Sequence, residues 1–288
     1  MKKMFSIVIP ALNEEKYLPG LLSDLAEQTF KEFEVIVVDG TSDDQTVSEA
    51  KKFGGKLPKL TILSSKKRNV SVQRNMGGKK ASGEWLIFMD ADDRLQPDFM
   101  KILSGVIVKN KSVGVFTCWM DSDSSLRTDK AIALLMNVLL EAAKIISYRW
   151  APGAMIGIRK EGFDKIGGFD PNKDYGEDGH FVREAFLIGF NFIIFKEPKY
   201  RFSQRRFRKN GNIRQILIHA KLITKSMIDI PIDGETEYPK GGSVFENVEI
   251  KDEVYKKLFK KFGEVAADPK LFKKLKKRIG NRIFKSNN

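Results

Sequence analysis

Trp85-Leu86-Ile87-Phe88-Met89 is an unbroken apolar run that begins after Gly83-Glu84 and ends abruptly in Asp90-Ala91-Asp92-Asp93. A short run that is apolar on both faces reads as an interior strand of a mostly parallel sheet, and such sheets bind ligands at the carboxyl ends of their strands. The three acids therefore point at a ligand edge. Crowded carboxylates repel one another unless a cation or a proton relieves them, and Mg²⁺ is commonly held by one or two carboxylates together with substrate phosphates. A metal-bound phosphate ester is the first expectation. The competing one is that Asp92 or Asp93 caps a helix opening near Pro97 or sits in a solvated turn.

The rest of the chain repeats the pattern. Strands are expected at Phe5–Ile9, Glu34–Val38, Leu60–Leu63, Val113–Cys118 and Asn191–Phe195, with helical segments between most of them, which indicates an α/β fold built on a largely parallel sheet. Leu18, Leu21, Leu22 and Leu25 form one helical stripe after Asn13-Glu14-Glu15, whose acids are expected in the first turn. Pro97-Asp98 opens a helix with Phe99, Ile102, Leu103 and Val106 on one face. A third helix, Ala131–Ile146, is unusually apolar and reads either as a core helix or as a lipid-facing surface. It falls short of a membrane span, and the apolar run from Met4 to Ile9 is too brief for a signal peptide. A lone cysteine, Cys118, precludes an internal disulfide and suits a reducing compartment.

The net charge of +14 is concentrated at one end. Up to residue 198, 28 Lys and Arg face 27 Asp and Glu; from 199 onward 23 face 10. Helical stripes at Ile213–Met227 and Tyr255–Phe262 follow, then Leu271, Leu275, Ile279 and Ile283 recur opposite Lys273, Lys274, Lys276, Lys277 and Arg278. This basic amphipathic pattern suits either an anionic membrane surface or docking on the chain's own domain. The reading is therefore a domain over 1–205 and a basic helical extension over 206–288.

Two further strand ends carry polar groups. Ser6-Ile7-Val8-Ile9-Pro10-Ala11-Leu12-Asn13-Glu14-Glu15 runs from strand to turn to helix, and Val35-Ile36-Val37-Val38-Asp39-Gly40 places Asp39 at the second strand tip, where an acid suits a ribose hydroxyl or a base N–H. Asp43 and Asp44 read as caps of the next helix. Together with Arg74-Asn75-Met76-Gly77, the Asp90-Ala91-Asp92-Asp93 stretch, Ile166-Gly167-Gly168-Phe169-Asp170 and Gly176-Glu177-Asp178, this order resembles the family 2 glycosyltransferases of the GT-A fold from about residue 4 to 195. The resemblance implies an inverting transferase that takes sugar from a UDP- or GDP-linked donor, with Mg²⁺ or Mn²⁺ on the diphosphate. It implies Pro10, Asn13 and Glu14 beside the nucleoside, Asp39 facing base or ribose, and Arg74 in a turn supporting the nucleotide. Asp92 becomes the metal ligand, with Asp90 sharing that role and lying nearer the ribose. Glu177-Asp178 becomes the acceptor-side pair, with Asp178 as general base.

Two departures qualify the likeness. Many members carry adjacent acids after the second strand where this chain has Asp39-Gly40, and Ser203-Gln204-Arg205-Arg206-Phe207 only loosely matches the Gln-x-x-Arg-Trp motif of processive members. Arg205 and Arg206 remain candidates for the diphosphate, because guanidinium suits phosphate. The expected partners are a nucleotide-sugar donor, a glycan or lipid-linked acceptor and an anionic membrane surface for the tail, with no nucleic acid. The expected setting is the cytoplasm, with peripheral attachment to the inner face of the cell membrane. The rivals are a polyprenyl-phosphate glycosyltransferase and, from another class, a non-catalytic nucleotide- or nucleic-acid-binding protein.

Overall fold

The computed structural model describes residues 4–145, 149–173, 176–205 and 208. The helices expected beyond residue 210, the basic amphipathic segment and Arg206 lie outside the described residues. One seven-stranded sheet organises the described chain, in the order β3-β2-β1-β4-β6-β5-β7. Its strands are β1 (Phe5–Ala11), β2 (Phe33–Asp39), β3 (Leu60–Ser64), β4 (Trp85–Met89), β5 (Val113–Ser122), β6 (Met155–Arg159) and β7 (Asn191–Phe202). The helices are α1 (Leu18–Ala26), α2 (Thr46–Lys51), α3 (Val70–Lys80), α4 (Phe99–Lys109), α5 (Arg127–Ile145), α6 (Lys160–Ile166) and α7 (Glu177–Leu187). All strand pairs are parallel except those of β6, which runs antiparallel to both neighbours.

The continuous burial of β1, β2 and β4 explains their unbroken apolar sequences, since helices cover both faces of the central sheet. The chain leaves β1 toward β2 and β3, then returns to β4 on the other side of β1. That reversal opens a crevice beyond the carboxyl ends of β1 and β4, where such sheets hold their ligands.

Two elements escaped the sequence reading. Helix α3, expected as a turn at Arg74, is a full helix capped by Asn69, whose side chain accepts the Val72 N–H. It packs through the absence of side chains rather than through an apolar stripe: a Cβ at Gly77 would lie 2.3 Å from Val8, and one at Gly78 2.4 Å from Phe163. Strand β6 hides because Gly157 interrupts its five residues. The Phe116 ring occupies that gap, between the rings of Trp85 and Phe195 at centroid distances of 5.6 and 5.4 Å.

Other boundaries shift for local reasons. Helix α1 buries Leu18, Leu21, Leu22 and Leu25 as expected but starts at Leu18, so Glu14 and Glu15 precede it and no acid occupies its first turn. Strand β7 continues seven residues past Phe195 because β5 offers partners up to Ser122. Helix α5 begins a turn earlier than expected and buries Ile132, Ala133, Met136 and Leu140, while Leu134, Val138 and Leu139 stay exposed. Its Asn137 side chain accepts the Met120 N–H and donates to the Met120 carbonyl, replacing a strand partner beyond the point where β6 leaves β5. Among the described residues no helix is long and apolar enough to cross a membrane.

Gly157→Ala should destabilise the domain by about 1–3 kcal/mol, because the new methyl collides with a ring that has no free space. Urea unfolding should show a lower midpoint with an unchanged slope; an unshifted midpoint would mean the Phe116 ring relaxes freely.

Candidate active site

The three acids after β4 point to different places. Asp93 is fully buried, not in a solvated turn; desolvation, with Asp90 and Asp92 close by, pushes its carboxyl well above the usual range. Asp92 is nearly buried and forms an ion pair with Arg205, its Oδ2 lying 2.8 Å from the Arg205 Nε. Asp90 keeps 40% of its side chain exposed and accepts the Arg74 Nη2 at 3.2 Å. The crowding read from the sequence is thus met by two arginines, one on Asp90 and one on Asp92.

Arg205 reaches this edge from the end of β7. Its Nη1 and Nη2 donate to the Glu14 carboxylate at 3.0 and 2.5 Å, and its guanidinium lies 4.3 Å from the centre of the Tyr17 ring. Burial raises the Glu14 pKa to about 7, against the pull of Arg205 and with Asp92 and Asp90 adding to the rise. Arg208 anchors the same segment by pairing with Asp123 at 2.6 Å and Asp129 at 2.9 Å, and the Gln204 amide donates to the Asp129 carbonyl. Gln204, Arg205 and Arg208 are therefore each fastened to other parts of the domain.

The tips of β1 and β2 are tied to each other. Asp39 accepts the Thr41 N–H at 3.0 Å, the Ser42 N–H and the Ser42 hydroxyl, so its carboxylate is largely engaged within its own turn. Asn13 donates its N–H to that Ser42 hydroxyl and accepts the Asp43 N–H at 2.8 Å. Asn13 and Thr41 both adopt positive φ, 55° and 66°, which marks these two loops as held in unusual backbone shapes. Pro10 lies within β1, paired with Val38. Neither Asp43 nor Asp44 is the cap of α2 that was expected: the N-cap is Gln45, Asp44 one residue before it accepts the Thr46 N–H, and Asp43 pairs with Arg68. Gly40 has a structural reason: a Cβ there would meet the Gln73 amide at 2.9 Å, and that amide donates to the carbonyls of Ala11 and Val38. An acid at position 40 would displace the clasp that joins β1 to β2.

Glu177 and Asp178 open α7, behind Gly176 at φ 74°. Asp178 Oδ2 accepts the Gly153 N–H at 2.8 Å and Oδ1 accepts the Gly179 N–H at 2.6 Å. Desolvation and the neighbouring Glu177 push its pKa up to about 7, opposed by Arg74. The two acidic centres meet at Arg74, which is buried and donates to Glu177 at 2.9 Å, to Asp90 at 3.2 Å and to the Gly153 carbonyl at 3.1 Å. Arg74 thus links Asp90 to Glu177, Arg205 links Glu14 to Asp92, and Pro10, Asn13 and Asp39 lie at or just beyond the ends of β1 and β2. Neither the role of Gly153 nor the Glu14–Arg205 pair was legible beforehand, because neither adjoins its partner in the chain.

Among the described residues, no group of three or more His, Cys, Asp or Glu side chains is gathered for a metal ion. Two hard oxygen donors at a phosphate-binding edge nevertheless suit Mg²⁺ or Mn²⁺, whose remaining positions phosphates and water fill. Asp90 fits this through its solvent-facing side chain, and Asp92 through a carboxylate already balanced by a cation.

A crevice at the strand-order reversal, acids at the β4 tip and a second acidic centre at the head of α7 define the GT-A class of nucleotide-sugar folds. The family model for glycosyl transferase family 2 matches residues 6–167, and the chain belongs to that family. The poly(ribitol-phosphate) beta-N-acetylglucosaminyltransferase TarS of Staphylococcus aureus is 38% identical over 111 residues, 38% of this chain and 19% of that protein. An uncharacterized glycosyltransferase of Haemophilus influenzae is 30% identical over 186 residues, 62% of this chain and 60% of that one. The chain therefore spans less than two thirds of either relative. The crystal structure of S. aureus TarS 1-349 with UDP-GlcNAc is 28% identical, with a TM-score of 0.58 over 70% of this chain and 58% of that one. The mannosyltransferase PcManGT of Pyrobaculum calidifontis, in complex with GDP-Man and Mn²⁺, shares the fold with a TM-score of 0.64 at 21% identity over 82% of this chain and 66% of that one.

Arg205→Ala should lower the melting temperature by several degrees, because Glu14 and Asp92 lose the charge that balances them. Mn²⁺ should then raise the melting temperature of the variant more than that of the wild type; equal shifts would show that the ion does not use these carboxylates.

Proposed function

We propose that the chain transfers a sugar from a UDP- or GDP-linked donor to an acceptor hydroxyl with inversion, in a metal-dependent reaction. The observation that carries this reading is the pairing of two unlike acidic centres on one sheet edge. Asp90 and Asp92 are partnered by arginines, whereas Asp178 is desolvated with a raised pKa. Separated carboxylates of this kind divide the labour of binding an anionic donor and removing a proton.

In this reading Asp178 takes the proton of the acceptor hydroxyl as that oxygen attacks the anomeric carbon, and the nucleoside diphosphate leaves from the opposite face. General-base help of this sort contributes on the order of 10²–10⁴-fold. The Gly153 and Gly179 N–H groups fix the carboxylate, leaving its remaining lone pairs for the hydroxyl. Asp92 and Asp90 would hold Mg²⁺ or Mn²⁺, which neutralises charge on the departing diphosphate. Arg205 supplies further positive charge at that end. Pro10, Asn13 and Glu14 line the nucleoside side. Asp39 shapes that pocket through its turn. The relatives solved with UDP-GlcNAc and with GDP-Man and Mn²⁺ support the donor class.

A second reading differs in the acceptor: a polyprenyl phosphate at the inner face of the membrane, favoured by the exposed Leu134, Val138 and Leu139 of α5. A product that extracts into organic solvent and requires the lipid phosphate decides for it. The non-catalytic rival would retain nucleotide binding without turnover, and a nucleic-acid-binding form of it would show affinity for DNA with a steep salt slope.

A thermal-shift screen of UDP-GlcNAc, GDP-mannose and other nucleotide sugars, with and without Mn²⁺, should identify a donor whose stabilisation depends on the ion. Asp178→Asn should abolish turnover and leave donor binding intact, whereas Asp92→Ala should weaken Mn²⁺-dependent donor binding. Wild-type turnover in Asp178→Asn would sink the base assignment. Because the base works deprotonated, kcat should rise as pH passes upward through about 7 and fall on the acid side; a flat profile from pH 5 to 8 would contradict it.

A further inference from the structure

Arg74 was expected to support the nucleotide, yet its surroundings fit a different task. Its Nη1 donates to Glu177 and its Nη2 to Asp90 and the Gly153 carbonyl, while its Nε is buried without a partner. Only 3% of the side chain is exposed.

The connection to Asp178 runs through Gly153. The carbonyl of that residue accepts from Arg74, and its N–H donates to Asp178 Oδ2. The site also requires glycine at 153, because a Cβ would stand 2.6 Å from the Arg74 Nη2. That terminal nitrogen belongs to a guanidinium already fixed by three partners, so a methyl group there must dislodge either the arginine or the Gly153 backbone.

The next residue grips the same region from the other side. Asn75 donates to the Phe169 carbonyl and accepts the Phe169 N–H, both at 2.7 Å. The Phe169 ring lies 5.2 Å from the Arg74 guanidinium and stacks on Phe181 of α7 at 4.0 Å. The Arg74-Asn75 dipeptide thus holds both the loop that feeds β6 and the approach to α7, and Asp178 sits where the two meet.

We propose that Arg74 is a positioning residue for Asp178, acting through the Gly153 backbone and Glu177, and is not a contact for the nucleotide. The proposal rests on the reading of Asp178 as the base. It assigns glycine at 153 a catalytic consequence that follows from close approach to Arg74 alone. The charged groups facing Asp178 are Glu177 on its own helix and Arg74 from α3; the loop before β6 contributes the Gly153 amide.

The test uses the full chain and whichever of UDP-GlcNAc or GDP-mannose binds, with release of nucleoside diphosphate to water as the reaction. Arg74→Gln and Gly153→Ala should each lower kcat by about 10- to 100-fold, as displacement of a reacting group by about 1 Å does. Donor Kd, measured by calorimetry, should stay within about threefold of wild type. In Arg74→Gln the acid limb of the kcat profile should also move to higher pH, since the cation that opposes protonation of Asp178 is gone. Gly153→Ala retains that cation and carries the test if Arg74→Gln fails to fold. A weakened donor Kd with unchanged kcat would restore Arg74 to the nucleotide site and overturn the proposal. Normal kcat in both variants beside an inactive Asp178→Asn would overturn the positioning role alone. An active Asp178→Asn would remove the base on which the role depends.

Discussion

A single buried cation holds the site together. Arg74 is enclosed by protein, and burying an isolated guanidinium would cost several kcal/mol without partners. Glu177, Asp90 and the Gly153 carbonyl supply them, and they come from α7, the end of β4 and the approach to β6. Three segments brought together only by the fold therefore converge on one side chain. The arrangement places a positive charge between two acidic centres that would otherwise repel, and it opposes the rise that desolvation gives the pKa of Asp178.

Arg205 has the corresponding role on the donor side. It offsets Glu14 and Asp92 from a segment that is fastened by Arg208 to Asp123 and Asp129. The crevice is thus bordered by two arginines of different character. Arg74 comes from helix α3 and pairs with Asp90 and Glu177, whereas Arg205 follows β7 and pairs with Glu14 and Asp92.

The fold was legible where burial is written as apolar residues. Six of the seven strands were expected, and the leucine stripe of α1 and the apolar face of α4 are read directly. Helix α3 was illegible because it packs through Gly77 and Gly78, and β6 because Gly157 makes room for Phe116. Periodicity registers side chains and is blind to their omission. In the site, the acids announced themselves at strand ends, but their partners did not. Arg205 stands 191 positions from Glu14, and Arg74 stands 103 from Glu177. Asp39 illustrates the opposite limit: its position at the tip of β2 was clear, but its commitment to the Thr41-Ser42 turn depends on backbone geometry.

Asn137 gives α5 a significance beyond its apolar contacts. An amide that pairs with both backbone groups of Met120 closes an edge of β5 that β6 leaves open. An open stretch of strand is a template for a foreign chain, so one side chain on a helix guards this sheet against intermolecular pairing. The same pairing fixes α5 lengthwise: sliding by one residue would break both bonds, leaving the helix indexed to the sheet like a toothed rack.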